Sequence, residues 1–314
     1  MSLAGYGKLV IYSPDYDLYW KPKPNQDAYT KIGRHPVRVN SHGTRGAEFE
    51  AVKPEGTFRI ICLGDSRTFG WGLAEEDTYS KRLENLLRAE VSSDRRVEVI
   101  NAGVNAWSYP QMLTYMNKHG LAYQPDLVIM DGANLWTEFT EDQPENFRRS
   151  FLRKVRLKNL VRRSAVYHYV VEVRLKRYYE EYRTKAIATD ARPDEAEIEQ
   201  KEREILASLE GTMESMSRLL DAHGSQLILL HTPREDEDTS RANNYIKTIE
   251  QRVADRTGCI FLDLTASFQA HGGPLFQKAD PVHPNAEGNA IVAAELLEAV
   301  NRLSKFDSFR SAPR

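Results

Sequence analysis

The chain is predicted to be an α/β protein: a flavodoxin-like three-layer α/β/α sandwich on a mainly parallel five-stranded sheet, with an irregular N-terminal β extension and a helical insertion. Three observations carry that prediction. Five short apolar runs, at 58–63, 97–101, 127–130, 226–230 and 259–262, are each flanked by a segment with helical character. The runs are unbroken rather than alternating, as expected of strands covered on both faces in a parallel sheet. At 314 residues, 41% hydrophobic and 28% charged, the chain has the length and composition for one large core.

Residues 1–55 are rich in Tyr, Pro, Asn and Gly and lack helical periodicity. Within them 9–12 and 37–39 are short strand candidates, joined by the Pro-rich stretch 19–24. This extension is expected to pack on the main domain rather than fold alone. The main domain is expected to span 56–306. Its first run leads through Gly64 to an amphipathic helix at 79–89, and the second and third runs bracket a helix at 110–119. The last helix is expected at 286–303, leaving 307–314 as a tail.

Segment 140–208 interrupts this alternation between the third and fourth strands. Residues 148–185 carry thirteen Lys and Arg against Glu172, Glu180 and Glu181, and 190–214 then carry nine acids against Arg192, Lys201 and Arg203. It is read as a helical insertion with Pro193 as a break.

The net charge of −2 gives no global field for nucleic acid. Cys62 and Cys259 lie in apolar runs and are expected to behave as small buried hydrophobes rather than as a disulfide. No apolar run reaches the roughly 18 residues of a bilayer span, and no basic segment followed by an apolar one opens the chain. As given, the chain reads as cytoplasmic, or as secreted or periplasmic if a leader or anchor belongs in front of it.

In open parallel α/β sheets, ligands bind at the carboxyl ends of the strands. Gly64-Asp65-Ser66-Arg67-Thr68-Phe69-Gly70 follows the first run. A serine on a glycine-flanked strand-to-helix turn is held up at the sheet edge, near a helix N-terminus that favours negative charge. Taken alone, the tripeptide reads more plainly as a helix cap. Asn101-Ala102-Gly103-Val104-Asn105 follows the second run, where a glycine lets the backbone approach a ligand with its N–H free to donate. Asp131-Gly132-Ala133-Asn134 follows the third and places an amide at the same edge. Before the last helix comes Asp280-Pro281-Val282-His283-Pro284-Asn285. Its prolines enforce a turn from which a carboxylate can orient the imidazole.

These four blocks, in this order, resemble the SGNH (GDSL-type) hydrolase superfamily. The first matches its Gly-Asp-Ser-x-Thr-x-Gly throughout and the last its Asp-x-x-His, and the resemblance covers 58–303 outside most of the insertion. It implies Ser66 as nucleophile, His283 as general base and Asp280 as the acid orienting it. It further implies an oxyanion hole from the Ser66 and Gly103 backbone N–H groups and the Asn134 side chain. One position departs: Leu135 stands where the third block usually has a second acid. The implied activity is a serine esterase hydrolysing acyl esters through an acyl-enzyme, without metal or cofactor. Its substrate would be a small acyl ester or an acylated carbohydrate, with O-acetyl groups as one candidate. An O-acyltransferase on a carbohydrate would use the same triad, and an inactive binding or scaffold protein of the same fold is the third reading.

Trp71, Trp107 and Trp136 each follow a block and would line the pocket if they face it. Packing of each against its local helix is the plainer alternative. Arg67 can meet an anionic substrate group, although a surface role is the more ordinary expectation. The basic stretch 148–185, with apolar residues interleaved, suits contact with an anionic membrane surface, whereas most such runs are solvated helix faces. Segment 40–46 is expected to be an ordered turn, and His231 to make a local hydrogen bond. Glu235-Asp236-Glu237-Asp238 lacks the spacing of a calcium loop.

Overall fold

In the computed structural model, which describes residues 9–30, 33–135, 137–162, 195–236, 241–278 and 280–311, four short strands precede the main sheet. Strand β1 (Tyr12–Asp15) pairs antiparallel with β2 (Tyr19–Pro22), and β3 (Gln26–Tyr29) with β4 (Pro36–Val39). The Pro-rich stretch expected as a connector is therefore itself a strand. Pro22 lies opposite Tyr12 at the end of a two-stranded pair, where the missing N–H breaks no interior ladder. Tyr19 and Trp20 are buried and belong to one of the two main core clusters, so aromatic burial draws this hairpin onto the core.

The five apolar runs become β5 (Thr57–Gly64), β6 (Arg96–Gly103), β7 (Leu127–Asp131), β8 (Gln226–His231) and β9 (Ile260–Asp263). They form one parallel sheet in the order β6-β5-β7-β8-β9. This is the flavodoxin-like order, and its switch point lies where successive connections leave β5 toward opposite sides, opening a crevice beyond the strand ends. Every residue of β5 and β7 is buried.

Successive side chains alternate between two layers, following the period of a strand. Ile61, Leu63, Val128 and Met130 face a cluster that includes Met112 and Met116 of α3 (Tyr109–Lys118). The same cluster holds Leu209, Met213, Met216 and Leu220 of α5 (Glu195–Asp221), and Ile249 and Val253 of α6 (Arg241–Thr257). Ile60, Cys62 and Ile129 face Leu83 and Leu87 of α2 (Tyr79–Glu90), Phe268 of α7 (Thr265–Ala270), and Val292 and Leu296 of α8 (Ala286–Asn301). Cys62 is buried as expected, and burial pushes its thiol well above the ordinary range.

Three boundaries differ from expectation. Helix α5 continues unbroken past 208, because its second half carries four of the buried residues of the first layer. Residues expected mostly as a tail form α9 (Ser304–Ser311), whose fully buried Phe306 meets Phe58 edge-on at 5.0 Å. The loop expected to carry Asp280 and His283 is the second strand of a hairpin, β11 (Asp280–Pro284), paired with β10 (Phe276–Gln277). Of the basic stretch, 148–162 lie on α4 (Glu145–Arg162), with Leu157 and Leu160 63% and 68% exposed among Arg153, Lys154 and Arg156. Pro193 and residues 163–185 of that stretch lie outside the described residues.

Candidate active site

The carboxyl end of β5 runs directly into the short helix α1 (Ser66–Phe69). A Cβ on Gly64 would lie 2.1 Å from Thr68 Oγ1 and 2.2 Å from the Asp131 carbonyl oxygen, so only glycine lets β5, α1 and β7 meet here. Asp65 caps the helix, its Oδ1 accepting the Arg67 N–H at 2.9 Å, a contact typically worth about 1 kcal/mol. The Ser66 N–H is a first-turn donor that meets no acceptor among the described residues.

Ser66 Oγ lies 2.8 Å from His283 Nε2, and His283 Nδ1 lies 2.7 Å from Asp280 Oδ2. The other carboxylate oxygen accepts the N–H groups of Val282 and His283 at 3.1 and 3.3 Å, which fixes the carboxylate against its own strand. Burial alone would raise the Asp280 carboxyl. The His283 hydrogen bond and charge, with these two backbone bonds, outweigh burial and hold it below the ordinary carboxylate range. A carboxylate that takes the Nδ1 proton leaves Nε2 as an acceptor facing the serine hydroxyl. Such a chain can remove the hydroxyl proton as the oxygen attacks a carbonyl.

The donors around Ser66 differ from the sequence expectation at Gly103. Its N–H is directed to Asn101 Oδ1 at 3.1 Å rather than into the crevice. Glycine is needed here for contact, since a Cβ would approach Phe69 N to 2.2 Å. Asn101 in turn donates from Nδ2 to Thr68 O at 2.8 Å, tying β6 to α1. The free donor lies three residues on. Val104 N–H donates to Gly64 O and Trp107 N–H to Val104 O, both at 3.0 Å, closing a turn in which Ala106 takes φ 66°. The Ala106 N–H meets no acceptor among the described residues. Nothing local in the sequence flags it, because alanine gives no sign of a left-handed backbone.

Asn134 does lie beside this turn. Its Nδ2 donates to Trp107 O at 2.9 Å and more loosely to Asp65 Oδ2 at 3.3 Å. Asp65 Oδ2 also accepts the Ala133 N–H at 2.9 Å, so a single buried carboxylate joins the serine turn to the asparagine loop.

Of the residues expected to meet substrate, Trp71 is partly exposed, with its ring centroid 5.8 Å from that of His283. Trp107 is fully buried and donates from Nε1 to Trp20 O at 2.9 Å, so it supports the loop from beneath. Trp136 lies outside the described residues. Arg67 is neither a substrate contact nor a surface residue. Its side chain is 3% exposed, with Nη2 2.6 Å from Asp131 Oδ1 and Nη1 donating to Thr232 O at 2.7 Å. Two carboxylates under the sheet edge, Asp65 and Asp131, draw the guanidinium inward. Burial raises the Asp131 carboxyl to about 7 despite the pull of Arg67.

Further groups support the same loops. Tyr109 donates from its hydroxyl to Gly132 O at 2.8 Å and lies 3.1 Å from Glu250 Oε1. Glu250 Oε2 lies 2.9 Å from His231 Nδ1, which is the local bond expected of that histidine. Arg45 donates to the carbonyls of Phe69, Gly70 and Leu73 at 2.7, 2.9 and 2.8 Å, closing the far end of α1. The turn expected at 40–46 delivers Arg45, with Asn40 Oδ1 accepting the His42 and Thr44 N–H groups at 3.0 and 3.1 Å. Among the described residues there is no cluster of side chains placed to hold a metal ion, and no helix long and apolar enough to cross a membrane.

The sequence matches the GDSL-like Lipase/Acylhydrolase family over residues 62–291, and no curated protein matches it. Among solved structures it is similar to the lipase/acylhydrolase from Enterococcus faecalis, at 17% identity and TM-score 0.49, covering 77% of this chain and 95% of that one. It is also similar to the psychrotrophic esterase EstA from Pseudoalteromonas sp., at 13% identity and TM-score 0.47, covering 78% and 97%. A third is an acetylxylan esterase from Geobacillus stearothermophilus, at 16% identity and TM-score 0.48, covering 77% and 93%. Matched over most of its length, the chain belongs to the GDSL-like lipase/acylhydrolase family, and it is a carboxylic ester hydrolase.

Proposed function

We propose that the protein hydrolyses small acyl esters, O-acetyl groups on carbohydrates among them, through an acyl-enzyme on Ser66. The observation that carries this reading is the unbroken chain from Ser66 Oγ to His283 at 2.8 Å and from His283 to Asp280 at 2.7 Å. His283 takes the serine proton as Ser66 attacks the ester carbonyl, and returns it to the leaving alcohol. Water then repeats the sequence on the acyl-enzyme. The oxyanion is received by the N–H groups of Ser66 and Ala106 and by the Asn134 amide, which gives up its long bond to Asp65. Trp71, with its ring 5.8 Å from that of His283, is the side chain proposed to meet the leaving alcohol.

The test is a series of p-nitrophenyl esters from acetate to palmitate, assayed with the wild type and Ser66→Ala. Hydrolysis of at least one ester by the wild type, and its loss in the variant, is the expected result. Equal rates for the two proteins would end the proposal. Chain-length preference then defines the acyl pocket, and product analysis with an acceptor glycan separates hydrolysis from transfer.

Two further results are expected. Asn134→Ala should fold and lose about 10²–10³ of kcat, the usual cost of one oxyanion donor. A near-normal kcat in a folded variant would remove Asn134 from the site. The acid limb of log kcat/KM against pH should show no break from Asp280 within the ordinary carboxylate range. Asp280, held below the ordinary range, is already ionised. The same depressed carboxyl contributes stability above its unfolded value, and that contribution is lost as pH falls through its folded value. A break from carboxylate protonation within the ordinary range would show the Asp280 carboxyl unshifted.

A further inference from the structure

The turn that presents the Ala106 N–H has an unusual difficulty. Ala106 sits at φ 66°, a conformation that glycine adopts freely but that disfavours a side chain by about 1–2 kcal/mol. Left to itself, this turn would relax toward ordinary backbone angles and turn the N–H in another direction. Something outside the turn must hold it.

That support comes from the N-terminal hairpin. Trp20 of β2 donates from Nε1 to the carbonyl of Asn105 at 3.0 Å, which is the peptide group whose N–H belongs to Ala106. Trp107, on the other side of Ala106, donates from its own Nε1 to Trp20 O at 2.9 Å. The Trp20 indole thus holds the Asn105 carbonyl on one side of Ala106, and the Trp107 indole on the other side holds the Trp20 backbone. Trp20 itself has little freedom: it is 8% exposed, stacks on Phe151 at 5.3 Å and meets Phe139 edge-on at 5.0 Å.

We infer that Trp20 is a positioning residue for the oxyanion hole, and that the N-terminal hairpin is thereby a working part of the active site. By fixing the Asn105–Ala106 peptide plane, the Trp20 indole N–H sets the direction of the Ala106 N–H. This rests on the proposed roles of Ser66 and Ala106. It assigns to residues 12–22, which lie outside the matched 62–291, a part in setting the rate of the chemical step.

The experiment compares the wild type, Ser66→Ala, Trp20→Phe, Ala106→Gly and the Trp20→Phe/Ala106→Gly double variant, with p-nitrophenyl acetate as substrate. Trp20→Phe keeps an aromatic ring against Phe139 and Phe151 but removes the N–H. Its kcat should fall about tenfold or more, with KM changed by less than about twofold, because a misdirected donor weakens transition-state rather than ground-state binding. Inactivation by diethyl p-nitrophenyl phosphate, whose phosphoryl oxygen enters the same hole, should slow in step. In the double variant at least half of the lost kcat should return, because a glycine does not need to be forced into the left-handed region.

A merely structural tryptophan would lower the unfolding temperature or the active fraction, and a glycine at 106 would not repair that. If Trp20→Phe fails to fold, benzothienylalanine at position 20, which exchanges the N–H for sulfur and keeps the ring shape, carries the same expectation. The proposal is overturned if the folded variant keeps wild-type kcat while Ser66→Ala is inactive, or if kcat falls and Ala106→Gly restores none of it. An active Ser66→Ala would instead overturn the reading of the site on which the inference rests.

Discussion

Ser66→Ala, His283→Ala and the double variant should each lose about 10⁴–10⁶ of kcat, and the double variant should be no worse than the single ones within about tenfold. Non-additivity is the informative part. On the proposed mechanism the hydroxyl is activated only through its 2.8 Å contact with His283 Nε2, and the imidazole has no proton to manage once the serine is gone. The two residues therefore act as one unit, and removing either one removes the unit. What survives is the oxyanion hole and substrate binding, still able to accelerate attack by water. Losses that multiply, with the double variant falling far below either single one, would show Ser66 and His283 serving separate steps. Both side chains are partly exposed and neither fills the core, so unchanged thermal unfolding should accompany the loss.

Arg67→Met should produce the largest loss of stability, about 3–5 kcal/mol by guanidinium unfolding, the usual cost of breaking a buried ion pair from one side. The guanidinium is 3% exposed and the Asp131 side chain it meets at 2.6 Å is 1% exposed. Without it, Asp131 and Asp65 share the space beneath Ser66 with no cation between them. The sign of the pH dependence follows. Asp131 is already raised to about 7 in the folded protein, and losing Arg67 raises it further. A folded state that binds this proton more tightly than the unfolded one loses stability as pH rises. The deficit of Arg67→Met should therefore be larger at about pH 8 than at about pH 5, and Arg67→Met/Asp131→Asn should recover part of it. A deficit under about 1 kcal/mol, or one that shrinks with rising pH, would show that the pair is not holding the strand end together.

Much of the architecture was legible in the linear chain. The strands β5 to β9 read as unbroken apolar runs because a parallel sheet is covered on both faces, and that environment leaves a local signature. The serine turn and the Asp280–His283 segment were legible for a similar reason. Helix caps, glycines and prolines act over a few residues. The hairpin carrying Asp280 and His283 was less legible, since β10 is only two residues long. The candidate at 37–39 lies in β4, but the first hairpin was misplaced, because Tyr19–Pro22 is held by aromatic burial against distant residues rather than by a pattern of its own.

The direction of each side chain around the site is a different matter. The four blocks and the family they resemble pointed to a serine, an amide, a carboxylate and an imidazole at one edge of the sheet. They could not tell that Arg67 turns inward, since the carboxylate that draws it is Asp131, on a different strand. Nor could they tell that Trp107 is a buried support, since the carbonyl its indole meets belongs to Trp20, 87 residues earlier. Among the described residues the Gly103 N–H is occupied and the Ala106 N–H is not, because the turn between them closes on Gly64 from the neighbouring strand. Local sequence sets backbone preference and burial tendency over a few residues. Which hydrogen-bonding group is left free to meet a substrate depends on every partner the folded chain brings near, and those partners come from all along its length.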